Sequence, residues 1–339
     1  MKRIVTSFAV TVSLAALVGA CSSSSNPGGS AATDAGADTS PAVTADQAAT
    51  DTANAICARW SACAPFYVLL GYGNEATCAS RLKTQFADAL AANGTGTTPA
   101  WLETCAGAIP AVSCADVFAV NLPDACKPVA GTVAKGGACA DHSQCATKFC
   151  AIDATKGICG TCQDPPAEND PCVSNDCQDG YTCGSKDGRC HKFAGLGALC
   201  DSNHVCNATL TCFQAKCAAP TAAGGACDPP GTTTLTHPAC DGIGGDWCSV
   251  KTSKCEAIVQ GAALAAKCGY DTTAGSLTVC DATSYCSITS PTTYSGTCEA
   301  RVADGAACDA SKAVLGGPCT APATCTNGTC SMKDPATCK

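Results

Sequence analysis

Aromatic side chains make up only 5% of this 339-residue sequence, and the 46% that counts as hydrophobic is largely alanine and cysteine. Most of the chain therefore lacks the bulky residues that fill a conventional core. Histidine is equally scarce: His142, His191, His204 and His237 are scattered, and none stands in H-E-x-x-H or H-x-x-E-H spacing. No G-x-S-x-G elbow, P-loop or dinucleotide glycine fingerprint occurs, so no catalytic grouping is legible and neither a cofactor nor a metal ion is expected. Cations are too few to form a basic stripe, with 20 Lys and Arg against 28 Asp and Glu, which argues against a nucleic-acid partner.

What the chain has is cysteine, 33 of them. The first is special. Lys2 and Arg3 precede an apolar stretch over residues 4–18, and Leu17-Val18-Gly19-Ala20-Cys21 follows. A positive segment, an apolar segment and small residues at a cut site form a signal peptide, too short for a lasting membrane span. The residues around Cys21 resemble a bacterial lipobox, which implies cleavage before Cys21 and acyl chains on it, anchoring the protein to a membrane. A plain secretory signal cut near Ala20 is the alternative. Loss of Lys2 and Arg3 takes the formal charge from −8 to −10. The other 32 cysteines are an even number at high density, the mark of a disulfide scaffold in an oxidising compartment. The lone C-x-x-C, Cys159-Gly160-Thr161-Cys162, has no second copy and no βαβ context, so it reads as structural.

Four segments follow in order: residues 1–20 as the lipoprotein signal, 21–45 as lipidated cysteine and Ser/Ala/Gly/Asp tether, 46–128 as a helical six-cysteine module, and 129–339 as six cysteine-rich repeats. The helical module holds Cys57, Cys63, Cys78, Cys105, Cys114 and Cys126, and seven of the aromatics: Trp60, Phe66, Tyr67, Tyr72, Phe86, Trp101 and Phe118. Ala53, Ile56, Cys57 and Trp60 mark a first helix over 45–62 that Pro65 ends; Cys78, Leu82, Phe86 and Leu90 mark a second over 74–92, stopped at Asn93-Gly94. A third helix starts at Thr98-Pro99, and Ser113 caps a short fourth. Three disulfides are expected there, in any of fifteen pairings.

The repeats carry Cys139, Cys145, Cys150 and Cys159; Cys172, Cys177, Cys183 and Cys190; Cys200, Cys206, Cys212 and Cys217; Cys227, Cys240, Cys248 and Cys255; Cys268, Cys280, Cys286 and Cys298; and Cys308, Cys319, Cys325 and Cys330. A Gly-rich lead-in opens most units, and a small residue stands two places before the last cysteine. Segments between cysteines suit short β-hairpins rather than helices, with turns at Asp187-Gly188 and Asn327-Gly328. The fold class is thus small disulfide-rich repeats, short hairpins and loops in an elongated array, preceded by a small disulfide-stapled α-helical module. Within a unit, first-to-third and second-to-fourth pairing is favoured, although a bridge across the hairpin is also feasible. Cys162 and Cys338 remain; they pair with each other and close a ring, or Cys162 borrows a neighbour's partner. Inserts at residues 229–238, 270–279 and 291–295 leave the frame intact and read as surface loops, where binding specificity resides.

These GxxC…C…C…GxC units resemble the cysteine-rich repeats of Dickkopf-type and colipase-like domains, and the whole layout is similar to cysteine-rich surface lipoproteins of Gram-negative bacteria. The resemblance covers residues 136–330. Only architecture carries over from it; the lipobox, the tether, the paired cysteines and the absence of catalytic groupings point to a non-enzymatic, lipid-anchored protein of the cell envelope, in the outer membrane and facing the periplasm or the outside, that presents a rigid disulfide array to a surface protein or glycan. A disulfide-rich inhibitor of secreted hydrolases, with residues 232–238 as its inserting loop, is the alternative, and an envelope structural spacer a third. Asp170, Asp176 and Asp179 crowd together but match no EF-hand loop.

Overall fold

The computed structural model describes residues 42–152, 159–174, 176–271, 273–290, 294–309, 314–315, 317–332 and 334–338. The signal segment, Cys21 and nearly all of the tether lie outside the described residues.

Five α-helices form the N-terminal module: α1 (Ala45–Cys63), α2 (Pro65–Tyr72), α3 (Glu75–Ala91), α4 (Pro99–Ala108) and α5 (Cys114–Phe118). Local chemistry sets their starts. Side-chain oxygens of Thr44, Asn74, Thr98 and Ser113 each accept a backbone N–H of the first turn, satisfying a donor that has no partner within the helix. Pro65 does not simply end α1; it occupies the first turn of α2, where its missing N–H costs nothing, and Ala64 (φ −152°) turns the chain between the two helices. The core lies between α1, α3 and α4, where Ala53, Ile56, Cys57, Trp60, Leu82 and Ile109 are buried. Bridges Cys57–Cys78, Cys63–Cys114 and Cys105–Cys126 staple it.

Each of the six repeats is one hairpin crossed by two bridges, first cysteine to third and second to fourth. The reason lies in register. The third and fourth cysteines face each other across the hairpin, as Cys183↔Cys190, Cys212↔Cys217 and Cys325↔Cys330 do. Facing residues point to the same side of a hairpin. Both sulfurs are therefore offered to the lead-in loop beneath, which supplies the first and second cysteines. Each of these bridges closes a separation of 11 to 21 residues, a contribution of about 3 kcal/mol in the chain-entropy model.

A second signature recurs in all six units. The residue three places before the first cysteine has positive φ: Gly136, Asn169, Gly197, Gly224, Ala265 and Gly305, with φ between 65° and 88°. Its N–H donates to the carbonyl of the fourth cysteine at 2.7 to 2.9 Å, and that cysteine's N–H donates back to the following residue's carbonyl. This left-handed turn is what the lead-in glycines provide at little steric cost. The same hydrogen bonds identify the fourth cysteine of the first unit as Cys162, not Cys159: Gly136 N–H donates to the Cys162 carbonyl, and Cys162 pairs with Cys145. Cys159 instead joins Cys338, so the array is closed into a ring as one alternative expected, but with Cys159 in place of Cys162.

The array curves around the helical module, and every unit touches it. In the first unit, the Gln144 side chain donates to the Asn93 carbonyl and the Ser143 carbonyl accepts from Gly96. Gly180 and Asn207, of the second and third, donate to the carbonyls of Ala119 and Ala115. Phe66 of α2 is buried among Ile258, Leu277 and Val279 of the fourth and fifth. In the sixth, Asp304 forms a salt bridge with Arg81 of α3, and Ala321 N–H donates to the Gly71 carbonyl. Arg301 sends its guanidinium to the carbonyls of Leu70 and Gly71, placing a cation at the C-terminal end of α2.

The fifth unit departs from expectation. Residues 270–279 are no surface loop: Lys267–Asp271 and Ser276–Cys280 are strands of a six-stranded sheet that also holds Val259–Ala262, Ser284–Ser290, Ser295–Ala300 and Val314–Leu315. Leu277 and Val279 alternate along one strand and bury their shared face on Phe66. Most of the 291–295 insert lies outside the described residues.

Candidate binding surface

Cysteine chemistry is consumed by structure. All 32 cysteines after Cys21 are bonded in sixteen bridges. Sulfurs of Cys139, Cys145 and Cys150 approach within 4.8 Å, as in the other units, because two bridges lie side by side there. A sulfur in a disulfide is not a thiolate ligand. The C-x-x-C cysteines bond to Cys338 and Cys145 rather than to each other, so they form no redox pair.

The three aspartates of the second unit do different jobs. Asp170 accepts from the Ala167 N–H and Asp176 from the Cys177 N–H, both local turn contacts. Asp179 is pushed up to about 8 by burial, reinforced by the charge of Asp176, so its carboxyl is protonated at neutral pH rather than poised for a cation. His142 is a core residue: its Nδ1 accepts the Cys150 N–H at 2.7 Å and its ring lies on Phe149.

The exposed feature that is built, not merely loose, is the insert of the fourth unit. Residues 230–236 are all exposed, between bridges from Cys227 and Cys240 at its two ends. Asp228 ties its base. One carboxylate oxygen accepts the N–H of Thr236 and of His237, each at 2.6 Å, and the other accepts the Thr236 hydroxyl at 2.7 Å. Hydrogen bonds from the His237 backbone first, then from Thr236, hold its carboxyl down to about 2. Leu235 projects beside this clamp with half of its surface open, 51%. Two further leucines, Leu196 and Leu199 at the lead-in of the third unit, are 72% and 69% exposed. Rigid backbone carrying an apolar residue is what a partner's pocket can take up at low entropic cost.

The depressed pKa of Asp228 dictates a pH dependence. Its contribution is present above the unfolded value near 3.8 and is lost as pH falls through about 2. Asp228→Asn should therefore speed amide exchange of Thr236 and His237 at least tenfold at pH 7, while wild type shows that acceleration only on acidification; unchanged exchange in the variant would remove the clamp.

No protein-family model matches the chain, and no curated protein and no solved structure matches it. The 232–238 loop is legible in the sequence as exposed, but its clamp is not, because Asp228 reaches across the insert to its far end.

Proposed function

We propose that this is a non-enzymatic, lipid-anchored cell-surface protein that presents its disulfide array to a protein or glycan partner. The observation that supports this most is the clamped loop 229–237: bridged at both ends, tied by Asp228 and tipped by exposed Leu235, on units whose own backbones are fixed by two bridges each. Dense bridging suits an extracellular binding protein, since it supplies stability where aromatics are few. Acyl chains on Cys21 and a tether of about 25 residues, spanning roughly 25 to 30 Å as a flexible coil, would hold the ring clear of lipid head groups.

Two experiments test the two parts. Cys21→Ala should move the full chain from the membrane pellet to the soluble fraction; continued sedimentation with membranes contradicts the anchor. Replacing residues 232–235 with a Gly-Ser sequence should weaken saturable binding of the labelled protein to cells and to glycan arrays at least tenfold; equal binding removes the loop from the contact.

The same loop favours a second reading, an inhibitor of secreted hydrolases that inserts Leu235 into a protease cleft. Stoichiometric inhibition within a panel of extracellular proteases supports it, and intact survival without inhibition rejects it.

A further inference from the structure

His191 and His204 belong to different units and stand thirteen positions apart, yet their rings meet at 4.9 Å between centroids, inclined by 52°. The junction of the second and third units brings them there. Ser185 donates both its N–H and its hydroxyl to the Ser202 carbonyl, and the Asn203 side chain accepts the N–H of Lys186 and of Asp187. Each ring is also held by its own carboxylate. His191 meets Asp187 through Nε2 at 2.9 Å, and His204 meets Asp201 through Nδ1 at 2.9 Å.

Backbone N–H groups of Asn203 and His204 also donate to Asp201, and that of Arg189 donates to Asp187, so both carboxylates are fixed in place. A carboxylate accepts only, so it fixes the proton on the ring nitrogen it faces. That leaves Nδ1 of His191 and Nε2 of His204 as lone pairs. Carboxylate on one nitrogen and a lone pair on the other is the arrangement that orients imidazole as a metal ligand.

We propose that His191 and His204 form a binding site for a late first-row divalent cation such as Zn²⁺ or Cu²⁺ at the junction of the second and third units. The ring separation fits. An ion about 2.0 to 2.1 Å from each nitrogen lies about 3.2 Å from each centroid, so ligand angles of about 90° to 110° require centroids about 4.5 to 5.2 Å apart. Imidazole suits these ions and not Ca²⁺ or Mg²⁺, and water fills the remaining positions on the exposed side of His204. Bridging two units, the ion acts as a removable staple in a part of the ring where no disulfide crosses from one unit to the next.

The test is calorimetric titration of the full, disulfide-intact chain, without a histidine tag, with Zn²⁺. One ion should bind per chain. His191→Asn and His204→Asn should each weaken binding at least tenfold with unchanged circular dichroism, and His237→Asn should leave it as in wild type. Should either variant misfold, Cu²⁺ bound to wild type reports directly, through electron-spin resonance splitting from two imidazole nitrogens. Absence of saturable Zn²⁺ binding by wild type at millimolar concentration, wild-type affinity in the variants, or a Cu²⁺ spectrum without two-nitrogen splitting overturns the site.

Discussion

Asp179→Asn should make the protein more stable at pH 7, by up to about 4 kcal/mol, and leave it unchanged near pH 3. The carboxyl of Asp179 is pushed up to about 8, first by burial and then by the charge of Asp176. Between roughly pH 4 and pH 8 the folded chain therefore binds a proton that the unfolded chain has released. Stability from this group falls as pH rises through that window, the reverse of the dependence of a salt-bridged carboxylate. An amide of the same shape needs no proton, so the variant should keep its melting temperature as pH rises from 4 to 8 while wild type loses ground. Denaturant unfolding of both proteins at pH 3 and pH 7 checks this. Parallel pH profiles would mean that Asp179 is solvated and ionised.

Phe66→Ala should cost about 3 to 5 kcal/mol, the range for deleting a fully packed aromatic. Phe66 is 4% exposed and is the residue of α2 around which Ile258, Leu277 and Val279 close. No bridge joins these units to the helices, so the apolar contact carries the attachment. The variant should loosen the fourth and fifth units from the helical module while each keeps its own bridges and hairpin. Faster amide exchange along Ser276–Cys280, with exchange in the hairpin Thr211–Phe213 unchanged, is the expected pattern. Uniform acceleration throughout would mean that the module and the units unfold as one body.

How much of this was legible in the sequence follows the range over which each interaction acts. Helix starts at Thr98-Pro99 and Ser113 were readable because the capping oxygen and the N–H it accepts lie within three residues. Hairpins and their crossed bridges were readable because each unit repeats the same spacing. Pro65 misled, since a proline reads as a stop before it reads as a start. The swap of Cys159 for Cys162 had no local signal: Gly157 and Gly160 each stand two places before a cysteine, and the choice is made by Gly136 and Gly137, which pair with Cys162. Leu277 and Val279 did carry a strand's alternation, and their partner Phe66 lies some two hundred residues earlier. The meeting of His191 with His204 was equally invisible, being set by Ser202 and Asn203 docking on the neighbouring unit.

Six units wrap round a helical module and are tied end to end by one long bridge. Cys159–Cys338 spans 179 residues, and no other bridge links one unit to anything beyond it. Proteolysis of the unreduced mature protein, with free thiols blocked first and linked peptides identified by mass spectrometry, tests this most directly. The expected result is a peptide containing Cys159 bonded to one containing Cys338, Cys145 bonded to Cys162, and no blocked thiol among the 32 cysteines. Cys159 bonded to Cys145, with Cys338 free or joined to Cys162, would contradict it.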